Sequence, residues 1–179
     1  MATVASTRHL ILAFADAALW AAWSALCGYV AHRIPASRLQ HDRRLGIRGV
    51  ERDGRAYERV LHVKAWKDVL PEAGSLFRGG MSKAHLPGHD RESLARFAAE
   101  TRRAERTHWA ILALAPTFFA WNPWWLATAM LGYGLAANVP CLLVQRYNRA
   151  RLFRILGGPA GALRPRTPGG VLNPPFTEP

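Results

Sequence analysis

Residues 124–144 read WWLATAMLGYGLAANVPCLLV, an apolar run of 21 residues without a charged side chain. An α-helix rises about 1.5 Å per residue, so ~20 apolar residues cross the ~30 Å hydrocarbon layer of a bilayer. This run is therefore predicted to be a transmembrane helix. A buried helix of a soluble bundle is the alternative, and the length of the run argues against it.

A second apolar run lies just before the first, over residues 109–121 (WAILALAPTFFAW). It is short for a span, and Pro116 in its middle is expected to kink a helix because proline lacks the N–H that the helix needs. The dipeptide Asn122-Pro123 between the two runs is a turn signal. The pair is therefore predicted to form a helical hairpin. Its tip carries residues that favour membrane interfaces, namely Trp121, Trp124 and Trp125.

The third apolar run covers residues 9–31 (HLILAFADAALWAAWSALCGYVA), and Asp16 is its only ionisable interior residue. A cleaved signal peptide is the alternative to a span here. The apolar core of a signal peptide is usually ~7–15 residues long and is followed by a small-residue cleavage site. This run is longer and meets a basic segment, so we expect a retained helix.

The charge distribution predicts the orientation. The chain has 24 Lys+Arg and 12 Asp+Glu, a formal net charge of +12. One of the basic residues precedes the run at residues 9–31, 17 lie within residues 32–108, and six lie within residues 145–179. Basic residues accumulate on the cytoplasmic side of membrane proteins. We therefore expect a multi-pass protein of the cell membrane, with its N-terminus outside and both basic segments in the cytoplasm.

These features predict a mainly α-helical integral membrane protein with about three transmembrane helices. Residues 1–156 are expected to form one membrane-embedded domain, and residues 157–179 a disordered tail rich in Pro and Gly. Within the cytoplasmic segment 32–108, the periodicity predicts a helix over 90–108 with an apolar face of Leu94, Phe97 and Ala98. Residues 59–67 are predicted to form a short strand or an interfacial segment. The basic charge is explained by attraction to anionic lipids, and no nucleic-acid-binding module accompanies it.

Two polar groups in the cytoplasmic segment need an explanation. Lys64, Trp66 and Lys67 lie close together, either as a lipid anchor or as a binding site for the phosphates of an activated acyl donor. His85, in a loop rich in Gly and Pro, is either an exposed surface residue or a general base. The step from His85 to Asp90 resembles the H-x-x-x-x-D motif of glycerolipid acyltransferases, a match of only two residues.

Two further groups lie next to or within the apolar runs. Glu105 and His108 are i,i+3 neighbours on a helix, either as part of a solvated, salt-bridged surface or as a functional carboxylate–imidazole pair. A di-iron site needs two Glu-x-x-His elements and further carboxylates, so we expect no metal site from this single one. Asn138, next to Pro140 in a predicted span, either caps the opened backbone or has a function. A polar stretch, residues 145–149, follows where that span ends.

Six stretches form a pattern in this order: R-I-P at 33–35, K-A-W-K at 64–67, H-L at 85–86, E-T-R-R-A-E-R-T-H-W at 100–109, A-N-V-P at 137–140 and V-Q-R-Y-N-R-A-R-L at 144–152. Together they resemble the glycosyl-4,4′-diaponeurosporenoate acyltransferase family of bacterial carotenoid pathways. The resemblance spans about two-thirds of the chain. It implies transfer of a fatty acyl group to a sugar hydroxyl of a glycosylated carotenoid or a similar glycolipid.

This resemblance sets the expectations for the site. A histidine, His85 or His108, is expected to be the general base, and a carboxylate, Glu100 or Glu105, to orient it, since the family pattern does not fix the step from His85 to Asp90. The predicted substrate-binding residues are Lys64, Trp66, Lys67, Arg103, Asn138, Arg146, Tyr147, Asn148 and Arg149.

The expected partners are the lipid bilayer, an amphipathic glycosylated lipid acceptor, and acyl-CoA or a similar acyl donor as co-substrate, without a bound cofactor. A complex with other enzymes of the pathway is a further expectation. The alternative function is a non-enzymatic membrane scaffold for a lipid or carotenoid pathway.

Overall fold

The computed structural model describes residues 2–40, 51, 54–70 and 91–155. Every regular element in these ranges is helical. The α-helices are α1 (Ala2–Arg33), α2 (Ala36–Gln40), α3 (Arg55–Arg59), α4 (Val63–Trp66), α5 (Arg91–Leu112) and α6 (Trp124–Ile155). Two 3₁₀ helices cover Lys67–Val69 and Ala115–Ala120. His85 and the tail 157–179 lie outside the described residues, so their predictions stay predictions.

The α5 helix and the 3₁₀ helix that follows it lie alongside α1. Near the C-terminal end of α1, Arg103 of α5 bonds to the carbonyl oxygen of Ala31. After the second 3₁₀ helix, Trp121 bonds to Asp16, four turns back along α1. The chain from α5 to the turn therefore runs antiparallel to α1. After the Asn122-Pro123 turn α6 reverses direction, which confirms the predicted hairpin connection.

Two helices within the described residues are long and apolar enough to cross a membrane, Thr7–Arg33 and Trp124–Leu152. Much of their apolar surface is exposed, as it is for Phe14 in α1 and Trp124 in α6, both 76% exposed. Such surface is compatible with a lipid environment. The sequence prediction of a mainly helical protein with apolar spans is confirmed to this extent.

The second apolar run, residues 109–121, is divided between two helices. The α5 helix ends at Leu112, and the chain continues as the 3₁₀ helix Ala115–Ala120. Pro116 has no N–H to donate and its ring clashes with the preceding turn, so an α-helix cannot run through it undisturbed. This run still lies beside α1, but it is not one continuous helix.

The predicted strand at residues 59–67 is wrong, because this segment forms the end of α3, α4 and the beginning of the first 3₁₀ helix. His62 adopts a left-handed conformation (φ 48°), which ends one helical turn and starts the next. Val63 is fully buried in a cluster with Tyr57 and Tyr147. Tertiary packing of this apolar side chain therefore overrides the strand propensity of a β-branched residue.

The predicted helix over 90–108 is confirmed as α5, which extends to Leu112. Its expected apolar face is buried, since Leu94, Phe97 and Ala98 pack against Leu152 near the end of α6. A second apolar cluster lies between α1, the second 3₁₀ helix and α6, with Trp20 at its centre. These two clusters fix α6 against α5 at one end and against α1 at the other.

Candidate active site

His108 on α5 and Asn138 on α6 form a hydrogen bond, with 2.9 Å between His108 Nδ1 and Asn138 Oδ1. The amide nitrogen of Asn138 donates to the carbonyl oxygen of Gly134, also at 2.9 Å. Because the NH₂ group is used there, the side-chain oxygen faces His108 and accepts its proton. The imidazole therefore carries hydrogen on Nδ1, and Nε2 is the acceptor nitrogen. This is the tautomer that a general base needs.

Glu105, one turn before His108, contacts arginines rather than the imidazole. Its carboxylate is fully buried and accepts hydrogen bonds from Arg146 Nη1 at 2.8 Å and from Arg149 Nη2. These two charge-assisted bonds satisfy both oxygens of the buried carboxylate and join α5 to α6. Glu105 or Glu100 was the predicted orienting carboxylate, whereas in the structure Asn138 occupies the position beside His108.

Arg146 also binds Glu51, a residue that no sequence motif indicated. Its Nε and Nη2 atoms each donate to one oxygen of the Glu51 carboxylate at 2.7 Å. With Glu105 on Nη1, all three nitrogens of this guanidinium are bonded to carboxylates. Arg146 therefore serves as a bridge that fastens Glu51 and Glu105 to α6, and the planar guanidinium geometry is suited to that role.

The short helices α3 and α4 attach to the same side of α6. Tyr147 is fully buried and donates to Glu58 at 3.0 Å, and Lys64 pairs with the same carboxylate at 2.9 Å. Tyr57 donates to Glu51. Burial and the neighbouring Glu51 carboxylate together raise the pKa of Tyr57 to about 12, so its phenol remains a donor at neutral pH.

The other members of the predicted K-A-W-K group make local contacts. The indole of Trp66 donates to the carbonyl of Leu61 at 2.8 Å, and its ring packs partly against the cluster around Tyr147. Lys67 forms an ion pair with Asp68, whose side chain is 65% exposed. The structure thus brings Lys64 and Trp66 close to Tyr147.

Arg103 caps the C-terminus of α1. Its Nη1 atom donates to the carbonyl oxygens of Ala31, His32 and Ile34 at 2.6, 2.9 and 2.8 Å, and Nε pairs with Glu100 at 3.2 Å. The last carbonyls of a helix have no partner within it, and a cation there also opposes the helix dipole. The predicted substrate-binding residue Arg103 and the predicted orienting residue Glu100 thus meet at the end of α1.

The end of α6 carries buried polar atoms without a hydrogen-bond partner among the described residues. They are Gln145 Oε1, Asn148 Nδ2, and Nε and Nη1 of Arg149. Asn148 is 5% exposed and Arg149 3%. A buried unpaired donor or acceptor costs about 1–3 kcal/mol. Asn148 and Arg149, both predicted substrate-binding residues, are therefore candidates for contacting a ligand, and so is Gln145, which was not among the predicted residues.

Within the described ranges, no group of three or more His, Cys, Asp or Glu side chains is placed to hold a metal ion. The site contains imidazole, amide, guanidinium and carboxylate groups. Two of its carboxylates, Glu51 and Glu58, were missed because they lie in a region with no recognised motif. Both residues lie far from α6 in the chain, so no short sequence spacing linked them to residues 145–149.

A family model for glycosyl-4,4′-diaponeurosporenoate acyltransferase matches residues 37–157. Two relatives with that name, from Staphylococcus aureus strains bovine RF122 / ET3-1 and MRSA252, are each 32% identical over 106 residues. A third, from strain USA300, is 31% identical.

Each match covers 59% of this chain and 64% of the relative, so the chain spans less than two thirds of the length of these relatives. No solved structure matches the chain. The family model covers more than half of the chain and includes His108, Asn138 and the polar stretch 145–149. The chain belongs to the glycosyl-4,4′-diaponeurosporenoate acyltransferase family.

Proposed function

We propose that the protein is a membrane acyltransferase that moves a fatty acyl group onto a hydroxyl of a glycosylated carotenoid or a similar glycolipid. Family membership supports the reaction class. The observation that carries the assignment of a site is the hydrogen bond from His108 to Asn138, which makes Nε2 the acceptor nitrogen. A histidine held in this tautomer is suited to deprotonating an alcohol.

In the proposed reaction, Nε2 of His108 accepts the proton of the acceptor hydroxyl as its oxygen attacks the carbonyl carbon of an acyl thioester. A C–O bond forms, and the C–S bond breaks when the tetrahedral intermediate collapses. His108 then returns the proton to the leaving thiolate, so the imidazole ends neutral. Asn138 is the positioning residue, because it holds the ring orientation without touching the reacting atoms. General-base help of this kind contributes typically ~10²–10⁴-fold.

We further propose a multi-pass topology in the cell membrane, with the N-terminus of α1 outside and the basic segment and C-terminus cytoplasmic. The basic residues at 32–108 and 145–179 support this orientation. In support of three crossings, the chain from Arg103 to Trp121 runs antiparallel along α1. In this arrangement the apolar tail of the acceptor lies in the bilayer and its sugar approaches His108.

The test is mass spectrometry of lipid extracts from cells that make the glycosylated carotenoid. Cells expressing the protein should contain a glycolipid heavier by one esterified fatty acyl group. The His108→Ala variant should lose this species while its amount in the membrane fraction is unchanged. His32→Ala is the matched control, because the His32 side chain is exposed near the C-terminus of α1 and has no role in the proposed reaction, so this variant should retain the product.

If the protein is a non-enzymatic membrane scaffold, His108→Ala should not change the lipid products. If the acylated species forms equally with His108→Ala, the general-base assignment is wrong. If no acylated species depends on the protein at all, the proposed enzymatic function is wrong and the scaffold alternative stands.

A further inference from the structure

The turn between α3 and α4, residues 60–62, exposes two adjacent apolar side chains. Val60 is 74% exposed and Leu61 is 39% exposed. Cations flank them in the chain, since Arg59 is exposed and the side chain of Lys64 is 61% exposed. Exposed apolar side chains set among basic ones are typical of a segment that lies in a membrane interface, where the apolar groups enter the acyl region and the cations contact the headgroups.

The packing of α3 and α4 places this turn near the end of the apolar run of α6. The α3 helix begins beside Ala150, because a Cβ atom on Gly54 would lie 3.4 Å from the Cβ of Ala150. Directly after the turn, Val63 lies in a cluster with Val144, the last residue of that apolar run. The chain from Gly54 to Val63 therefore runs along α6 toward the membrane-spanning part. In the proposed topology the turn lies where this span leaves the hydrocarbon layer.

The backbone of the turn is suited to an apolar environment. The indole of Trp66 donates to the carbonyl oxygen of Leu61 at 2.8 Å, and the N–H of Ala65 donates to the carbonyl oxygen of His62 at 2.8 Å. Backbone carbonyls without a partner are costly to bring into a bilayer, because lipid tails cannot donate hydrogen bonds. These two bonds lower the cost of inserting the turn, and Trp66 contributes by closing it.

The charge of this region matches anionic phospholipids. The exposed cations of α3 and α4 are Arg55, Arg59 and Lys64. The exposed carboxylate of the 3₁₀ helix that follows, Asp68, is paired with Lys67. Basic residues next to a span are attracted to the anionic headgroups of the cytoplasmic leaflet. An acidic soluble protein would feel the same charge, but it would have to displace the headgroups to reach the turn.

We infer that the turn between α3 and α4 is a membrane anchor that binds anionic phospholipids. Val60 and Leu61 enter the acyl region of the cytoplasmic leaflet. Arg59 and Lys64 contact the headgroup phosphates. This inference rests on the membrane topology given under the proposed function, because it takes the end of the apolar run as the boundary of the bilayer. A hydrogen bond joins α3 to α6, so the anchor holds the polar end of α6 at the membrane surface.

The first test measures the depth of the turn in the membrane. The full chain, with Cys27→Ala and Cys141→Ala, carries a fluorophore on Val60→Cys in vesicles of phosphatidylcholine and phosphatidylglycerol. A nitroxide quencher on the lipid chains should reduce its fluorescence strongly, and iodide in the water should reduce it little. A fluorophore on Arg96→Cys is the matched control and should show the reverse. Arg96 is exposed on α5, and its neighbours in the chain pack against Leu152, beyond the apolar run of α6.

A fluorophore on Phe14→Cys separates this inference from the proposed topology, because Phe14 is 76% exposed in the first apolar helix. If the lipid quencher acts at Phe14 but iodide acts at Val60, the anchor is wrong while the topology stands. The turn then faces the cytoplasm and is open to an acidic protein. Quenching by iodide at both positions would overturn the proposed membrane insertion and the anchor together.

The second test concerns the choice of lipid. Native mass spectrometry of the full chain released from the same lipid mixture gives the ratio of phosphatidylglycerol to phosphatidylcholine that stays bound. Arg59→Gln should lower this ratio about fivefold, the effect of one basic residue near an anionic surface. Arg96→Gln removes the same charge from the control position and should leave the ratio unchanged. Both side chains are exposed, so neither substitution should alter thermal unfolding. An unchanged ratio for Arg59→Gln would overturn the assignment to anionic lipids.

Discussion

Asn122 and Asp16 are joined by a hydrogen bond of 2.8 Å between residues 106 positions apart in the chain. Trp121 donates to the other oxygen of the same carboxylate at 3.0 Å. The Asp16 side chain is only 1% exposed. A buried carboxylate is stable when such donors satisfy it, so these bonds fasten the first apolar helix to the turn of the hairpin.

The Asp16→Ala substitution is expected to destabilise the protein. It leaves the amide of Asn122 and the indole of Trp121 without their acceptor, so the free energy of unfolding should fall by about 3 kcal/mol. Unfolding in detergent micelles, followed by tryptophan fluorescence, measures this change. Asp68→Ala is the control, because its exposed ion pair should contribute at most about 0.5 kcal/mol. Equal stabilities of the two variants would contradict the structural role of Asp16.

Asn138→Ala tests the positioning of His108. Without the side-chain oxygen the imidazole loses its fixed tautomer, so kcat should fall about ten- to a hundredfold. The KM for the acyl donor should change little, since Asn138 holds the ring of His108 without touching the reacting atoms. Steady-state kinetics of the reconstituted protein separate the two parameters. A rise in KM at constant kcat would instead place Asn138 in substrate binding.

The two glycines of α6 offer a matched pair. A Cβ atom at Gly134 would lie 2.9 Å from the buried Trp20 ring, whereas one at Gly132 has nothing within 4 Å. Gly134→Ala should therefore destabilise the protein by about 1–3 kcal/mol through overpacking. Gly132→Ala should stabilise it by about 0.5–1 kcal/mol, because alanine favours the helix. Thermal unfolding measures both, and loss of stability only at Gly132 would contradict the packing described here.

The raised pKa of Tyr57 predicts that the folded protein loses stability in alkaline solution. Its pKa is raised from the ordinary value of 10.0 to about 12, first by burial and then by Glu51. An acid whose pKa is higher in the folded state stabilises the fold fully below pH 10 and loses that contribution between pH 10 and 12.

The free energy of unfolding of the wild type should therefore fall relative to that of Tyr57→Phe over this range. Measuring both proteins at several pH values cancels the ionisation of the other tyrosines. A constant difference between pH 9 and pH 12 would show that the phenol does not titrate with folding.

Several elements could be read directly from local patterns. The apolar runs predicted the helices that contain Thr7–Arg33 and Trp124–Leu152, because length and hydropathy are properties of a continuous segment. The periodicity of Leu94, Phe97 and Ala98 predicted α5 for the same reason. The strand at 59–67 failed since its four-residue helix depends on burying Val63 against α6, a contact that no local pattern contains.

The sequence by itself determined the helical class, the two long apolar helices, the hairpin turn and most of the polar residues of the site, although not Glu51 and Glu58. Only the tertiary structure decided which of those residues meet. In the folded protein, Asn138 lies beside His108, and Glu105 binds Arg146 and Arg149. Arg103 binds the backbone at the C-terminal end of α1. The physical reason is that i,i+3 spacing makes two side chains neighbours on one helix, while their hydrogen-bond partners depend on what the next helix brings.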